Sequence, residues 1–268
     1  MTAVLVCLLS LFLGMLNPVP SLSQSKDSQQ NVVLRDSEAE SILRYSLRAM
    51  GGRVPADSTA TGAVRLTEGG TVEEGTIRIL TKGVNQSAEE LHLPSDFRSL
   101  SFSAVGGWEK RHSKASRLSL QRAIRSDTMD FPMSIVAAVL GNTEIKVEYL
   151  GEETVEGVLS HHIRYQRMFL LQPELKHLEE SSRVELWVEA KSSLPRLITF
   201  NQRDSDGESP QIPMAISYSD YRDVGGILYP FSITKQLNGM PWATVNIDSV
   251  TLNSGLSDSE FTSHEELQ

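Results

Sequence analysis

From Thr61 onward, apolar and polar residues alternate with a period of two, broken at short intervals by turn residues, and this pattern predicts a long series of β-strands. Ala63–Thr67 and Glu74–Lys82 flank a turn at Glu68-Gly69-Gly70. Leu91–Leu93, Phe97–Val105 and a short strand at Trp108 continue the series. After an interruption, strands resume at Ile145–Leu150, Val158–Met168, Arg183–Ala190, Pro195–Asn201 and Met214–Ser219. The next, with Ile227, Tyr229, Phe231 and Ile233 on one face, meets Asn238-Gly239, the strongest hairpin signal in the chain. The last strand, Trp242–Leu252, reverses its apolar parity between Ile247 and Val250, which predicts a bulge near Ser249.

Two stretches carry helical spacing instead. Ala39, Leu43, Leu47 and Met50 form one stripe, preceded by an N-cap at Asp36 or Ser37 with a Ser37–Glu40 capping box, and closed by Gly51-Gly52. Within 116–140, Leu118, Ala123 and Ile124 give a weak helical pattern, and Met133, Ile135, Val136, Val139 and Leu140 give a second, strongly apolar helix. The expected fold class is mainly β (α+β): a single curled antiparallel sheet of about eleven strands, a half-barrel, with the N-terminal helix and the inserted helices covering its concave side.

The N-terminal residues follow neither period. Ala3–Leu16 is almost continuously apolar, Pro18 and Pro20 break it, and Ser21-Leu22-Ser23 supplies small residues for cleavage. The run is short for a bilayer span. The expected organisation is a signal peptide at 1–23, a flexible leader at 24–35, the half-barrel at 36–262 and a frayed tail at 263–268. The expected location is the periplasm of a Gram-negative bacterium, with no integral membrane span after cleavage.

Charge and chemistry narrow the function. A net charge of -9 disfavours nucleic-acid and anionic-lipid surfaces as partners. The one cysteine, Cys7, lies within the signal, so the mature chain has neither a disulfide nor a thiolate metal site. Nucleotide, serine-hydrolase and zinc-protease motifs are absent. No cofactor, metal ligand set or catalytic residue is expected. His161-His162 is the one histidine pair; on a strand the two point to opposite faces, and His161 shares a face with Leu159, Ile163 and Tyr165. The pairs Glu73-Glu74, Glu89-Glu90, Glu152-Glu153 and Glu179-Glu180 read as turns or solvated surface. An apolar pocket under the helices is the expected site, lined by Trp108, Met133, Ile135, Val136, Val139, Leu140, His161 and Trp187. The expected function is a non-enzymatic carrier of a lipidic or apolar ligand. The alternatives are an envelope protein-interaction module, or an enzyme using His161 with a carboxylate from another strand.

Several short segments carry a family resemblance: Ala49-Met50-Gly51-Gly52, Ala60-Thr61-Gly62-Ala63-Val64, Tyr218-Ser219-Asp220-Tyr221-Arg222, Gly226–Phe231 and Leu252–Asp258. With the order helix, strands, helices, strands, the chain resembles exported half-barrel proteins related to the periplasmic lipoprotein carrier and its outer-membrane receptor. More narrowly, it is similar to a set of uncharacterised acidobacterial exported proteins. The resemblance implies an apolar concave side lidded by helices, an acyl chain as ligand and a lipoprotein as partner. It carries over no site residue, and this chain is longer at 169–182 and 204–213.

Overall fold

The computed structural model describes residues 33–112, 114–125, 127–202 and 211–262; the expected signal peptide, most of the leader and the tail lie outside them. Among the described residues, helix α1 (Ser37–Ala49) precedes β1 (Asp57–Glu68), β2 (Thr71–Lys82), β3 (Gln86–His92), β4 (Phe97–Ser103), β5 (Gly106–Arg111) and β6 (Lys114–Arg117). The short α2 (Leu120–Ala123) and α3 (Pro132–Gly141) follow. The chain then returns through β7 (Ile145–Val155), β8 (Val158–Arg167), β9 (Val184–Glu189), β10 (Pro195–Gln202), β11 (Ile212–Val224), β12 (Ile227–Leu237) and β13 (Met240–Leu252).

These thirteen strands form one antiparallel sheet, ordered β6-β5-β4-β3-β2-β1-β13-β12-β11-β10-β9-β8-β7. The sheet is the curled half-barrel that the alternation predicts, with more strands than expected. Part of the surplus is β6, which the weak helical pattern hides; only four residues of that pattern are helical, in α2. As an edge strand β6 needs no apolar alternation, and Lys114 and Arg117 discourage further pairing.

The strand order dictates the role of the inserted segment. The chain starts at the middle of the sheet, runs outward to β6 at one edge, and reappears in β7 at the opposite edge. Residues 118–144 therefore connect the two edges across the inner face, and α1 and α3 pack there against the core of the sheet. Because β6 and β7 do not pair, the crossover covers the inner face in place of a closed barrel.

Local chemistry fixes the helices. Asp36 is the N-cap of α1 and accepts from Glu38 N and Ala39 N. The expected capping box does not form, because Glu40 pairs with Arg35. Ala39, Leu43 and Met50 are fully buried, as the stripe predicts. Arg35, assigned to the leader from sequence, is docked instead. Its backbone bridges Val147, and its guanidinium donates to the carbonyls of Val139 (3.1 Å), Asn142 (2.9 Å) and Ile145 (2.9 Å). Those carbonyls lie at and just beyond the end of α3, where intrahelical donors run out.

The segments that carry the family resemblance meet one another. Gly51, at φ +124°, approaches Gly226 so closely that a Cβ would lie 2.5 Å from its carbonyl oxygen, and Leu228 N donates to Met50 O. A Cβ on Gly62 would lie 2.0 Å from Asn246 O, beside the register shift in which Asp248 is the extra residue of β13. That bulge stands where the parity reversal predicts it. The turn after β13 wraps the Asp57 carboxylate, which accepts from Ser254 N, Ser254 Oγ, Gly255 N and Leu256 N at 2.7–3.3 Å. Burial alone would raise the Asp57 pKa; these hydrogen bonds outweigh it and hold the carboxyl below its usual range.

Candidate functional site

The crossover leaves two cavities on the inner face, and Arg125, Asp127 and Met129 line both. The larger, of about 540 Å³, lies between α3, the crossover, the β2–β3 and β4–β5 turns, and strands β7 and β8. Helical spacing divides the work of α3. Met133 and Val136 are fully buried in the core, whereas Ile135 and Val139, four residues apart, line the cavity with Ile145 and Tyr165. The polar part of the wall includes Arg125, Asp127 and Arg167. The smaller cavity, of about 240 Å³, lies over β3, β4 and β10–β13 and is walled by Leu100, Phe102, Phe200, Met214 and Trp242. Trp242 faces inward because it is the unpaired residue between the partners of Lys235 and Gln236.

Charge is buried at the wall of the smaller cavity. Lys235 pairs with Glu89 and lies 2.6 Å from Asp130 Oδ1; all three are almost inaccessible. Burial, reinforced by Glu89, pushes the Asp130 carboxyl well above the carboxylate range despite Lys235. Burial also raises Glu89, but Lys235 overrides it and the net shift is downward. The two carboxylates in turn override burial and raise the Lys235 pKa. Glu89 is thus no solvated turn residue, as its place in a Glu-Glu pair suggested; it points inward from β3 between Ser87 and Leu91. Asp127 is pushed up to about 6 by burial, against a hydrogen bond from Met129 N.

The crossover is pinned at intervals. Tyr218 donates to Met129 O at 2.6 Å, Thr128 N donates to Ser87 Oγ at 3.0 Å, and Phe131 stacks on Tyr229 at 4.6 Å. Arg125 donates from Nη1 to Ser181 O and Asn201 O and lies 4.3 Å from the Phe200 ring centroid.

The residues singled out from sequence scatter over these surroundings. Ile135 and Val139 line the larger cavity. Met133 and Val136 belong to the core, and Leu140 packs against it without lining either cavity. Trp108 and Trp187 face outward. Glu109 and Arg111 flank the smaller cavity, so Trp108 between them points to the other face, under the Arg117 guanidinium. Trp187 stacks on His162 and donates to Glu153, on the face opposite Val184, Leu186 and Val188. His161 shares the inner face with Ile163 and Tyr165, as its parity predicts, but lines neither cavity. Its Nδ1 lies 3.2 Å from Tyr149 Oη and 3.4 Å from Glu152 Oε1, at the hairpin end of β7 and β8. A carboxylate is therefore within reach of His161, but no cavity is. Arg125, Asp127, Met129, Tyr165 and Lys235 were not singled out. One signal for Lys235 was present: it continues the inward parity of Ile227, Tyr229, Phe231 and Ile233. Among the described residues there is no cluster able to hold a metal ion, and no helix is long and apolar enough to cross a membrane.

No family model and no curated relative matches the chain. Solved structures do. A putative outer membrane lipoprotein-sorting protein domain from Vibrio parahaemolyticus superposes with a TM-score of 0.56 at 10% identity, covering 84% of this chain and 96% of its own. A LolA superfamily protein from Nitrosomonas europaea gives 0.52 at 18% identity, with 84% and 97% covered. A DUF1329 family protein from Desulfovibrio piger gives 0.50 at 15% identity, with 86% and 99% covered. At these identities the likeness is one of fold, and the chain has the half-barrel fold of the LolA superfamily and outer membrane lipoprotein-sorting proteins.

Proposed function

We propose that the protein is a non-enzymatic, exported carrier or binding protein for a lipidic or otherwise apolar ligand, a lipoprotein acyl chain being one candidate. The observation that carries this reading is the cavity of about 540 Å³ beneath α3. Its size falls within the range of roughly 300–1,000 Å³ typical of small-molecule sites, and its walls are chiefly apolar with a few convergent polar groups. The half-barrel fold, shared with a protein described as lipoprotein-sorting, supports the same reading by analogy.

Native mass spectrometry of the protein purified from a bacterial periplasm, with lipid extraction, tests it. A bound species of defined mass is expected in the wild type. It should be lost in Ala138→Trp, which fills the cavity from a half-buried position while leaving the core contacts of α3 in place. A bare mass, with no uptake of added lipid, would count against a carrier and favour a protein partner.

A further inference from the structure

Most ionised groups around the two cavities have an opposite charge within reach. Lys235 has Glu89 and Asp130, Arg98 has Glu68 and Asp96, Arg111 and Arg122 share Glu109, and Arg167 has Glu144. Arg125 is different. Among the described residues, no carboxylate lies within ion-pair distance of it. Its Nη1 serves two backbone carbonyls, at 3.0 and 3.2 Å, and Phe200 covers one face of the guanidinium. Nε and Nη2 donate to no described residue, which leaves three of its five N–H donors. Burial lowers the Arg125 pKa to about 10, so the group remains a cation at neutral pH.

A cation in a partly desolvated wall is costly unless something compensates it. The charged lining of the larger cavity is Arg125, Arg167 and Asp127, two cations and one carboxyl, in a chain whose net charge is -9. Asp127 does not compensate Arg125, since its carboxyl accepts from Met129 N at 2.6 Å. The unused edge of the guanidinium is the edge that pairs with planar or tetrahedral oxyanions through parallel hydrogen bonds. Beside it lie the apolar side chains of Ile135, Val139 and Ile145.

We propose that the larger cavity takes a single-chain amphiphile with an anionic head group, its oxygens on the free edge of Arg125 and its chain beneath α3. This rests on the carrier reading and adds to it the class of ligand. Arg125 selects the head and α3 accepts the chain. The second cation of the wall, Arg167, is already held by Glu144, which leaves Arg125 as the residue that discriminates.

The test compares three probes of matched chain: oleate, 1-oleoyl lysophosphatidate and uncharged oleyl alcohol, titrated calorimetrically into the full mature chain. At least one anion should bind about tenfold or more tightly than the alcohol, the ratio expected for one charge-assisted hydrogen bond. Which anion it is separates a carboxylate head from a phosphate head. In Arg125→Met that ratio should fall to near one while the alcohol still binds, and Arg125→Lys should restore part of it. Should Arg125→Met fail to fold, the wild-type ratio and the Lys variant decide. Equal binding of all three probes by the wild type would overturn the anion site and leave the apolar carrier standing. Binding of none would remove both.

Discussion

Charge is buried in two regions of this molecule, the seam where β1 meets β13 and the crossover beneath the sheet, and it is handled in opposite ways. At the seam, Asp57 receives four hydrogen bonds from the turn at Ser254–Leu256. A carboxylate so fully satisfied has nothing left to offer a ligand, and its effect is to close the seam. Beneath the crossover, Lys235, Glu89 and Asp130 share charge over long sequence separations, burial pushes the Asp127 carboxyl up to about 6, and Arg125 keeps donors that no described residue uses. Satisfied charge near a surface closes a seam, while the donors that Arg125 leaves beside a cavity are what the proposed anion site rests on.

The contrast predicts its largest effect at Lys235. Lys235→Met strands Glu89 and Asp130 in the interior and should cost about 3–5 kcal/mol in chemical denaturation. Adding Glu89→Gln and Asp130→Asn should recover a large part of that loss, because the uncompensated charge, not the missing pair, is what destabilises. A triple variant no more stable than the single one would show that the cluster is not held by charge balance. At the seam, Asp57→Ala should cost less, about 2–3 kcal/mol, since part of the freed turn can hydrogen-bond to water. Hydrogen exchange should then accelerate around residues 253–257 and leave the crossover protected.

The two regions should also respond oppositely to acid. Asp57 has a lowered pKa in the folded state, so its contribution is complete above the unfolded value of about 3.8 and fades as pH falls below it. Asp127 has a raised pKa of about 6, so the folded state binds the extra proton, and its contribution weakens as pH rises from about 4 to 6. Exchange protection of residues 127–131 should therefore be greater at pH 4.5 than at pH 7, and Asp127→Asn should narrow the difference, the remainder belonging to Asp130, whose carboxyl is also raised. Protection at 253–257 should not change over that interval. The smallest effect is expected for Tyr218→Phe, which removes one hydrogen bond to Met129 O and should cost about 0.5–1.5 kcal/mol, read as faster exchange in the crossover alone.

The sheet was legible in the sequence because its signals are local. A period of two, the turn at Asn238-Gly239 and the parity reversal before Val250 each occupy a few consecutive residues, and each corresponds to a strand, a hairpin and a bulge in the structure. Helix α1 was legible for the same reason, down to the buried Ala39, Leu43 and Met50. Strand β6 was not, since an exposed edge strand of four residues carries no alternation to read. The site was legible only in part. Apolar content pointed to α3, but it did not distinguish Ile135 and Val139, on the cavity, from Met133 and Val136, in the core. Tryptophan content pointed to Trp108 and Trp187, which face outward, and passed over Trp242, which a bulge turns inward.

By itself, then, the sequence determined the strand series, the turns, α1 and the parity that places Lys235 and His161 on the inner face, because each depends on neighbours a few residues apart. Tertiary structure alone decided that 118–144 runs from edge to edge, that Glu89, Asp130 and Lys235 meet, and that Arg125 stands beside a cavity without a counter-charge among the described residues. Those relations join residues up to 146 positions apart. They follow from how thirteen strands curl and which edges stay open, and no short stretch of sequence contains that information.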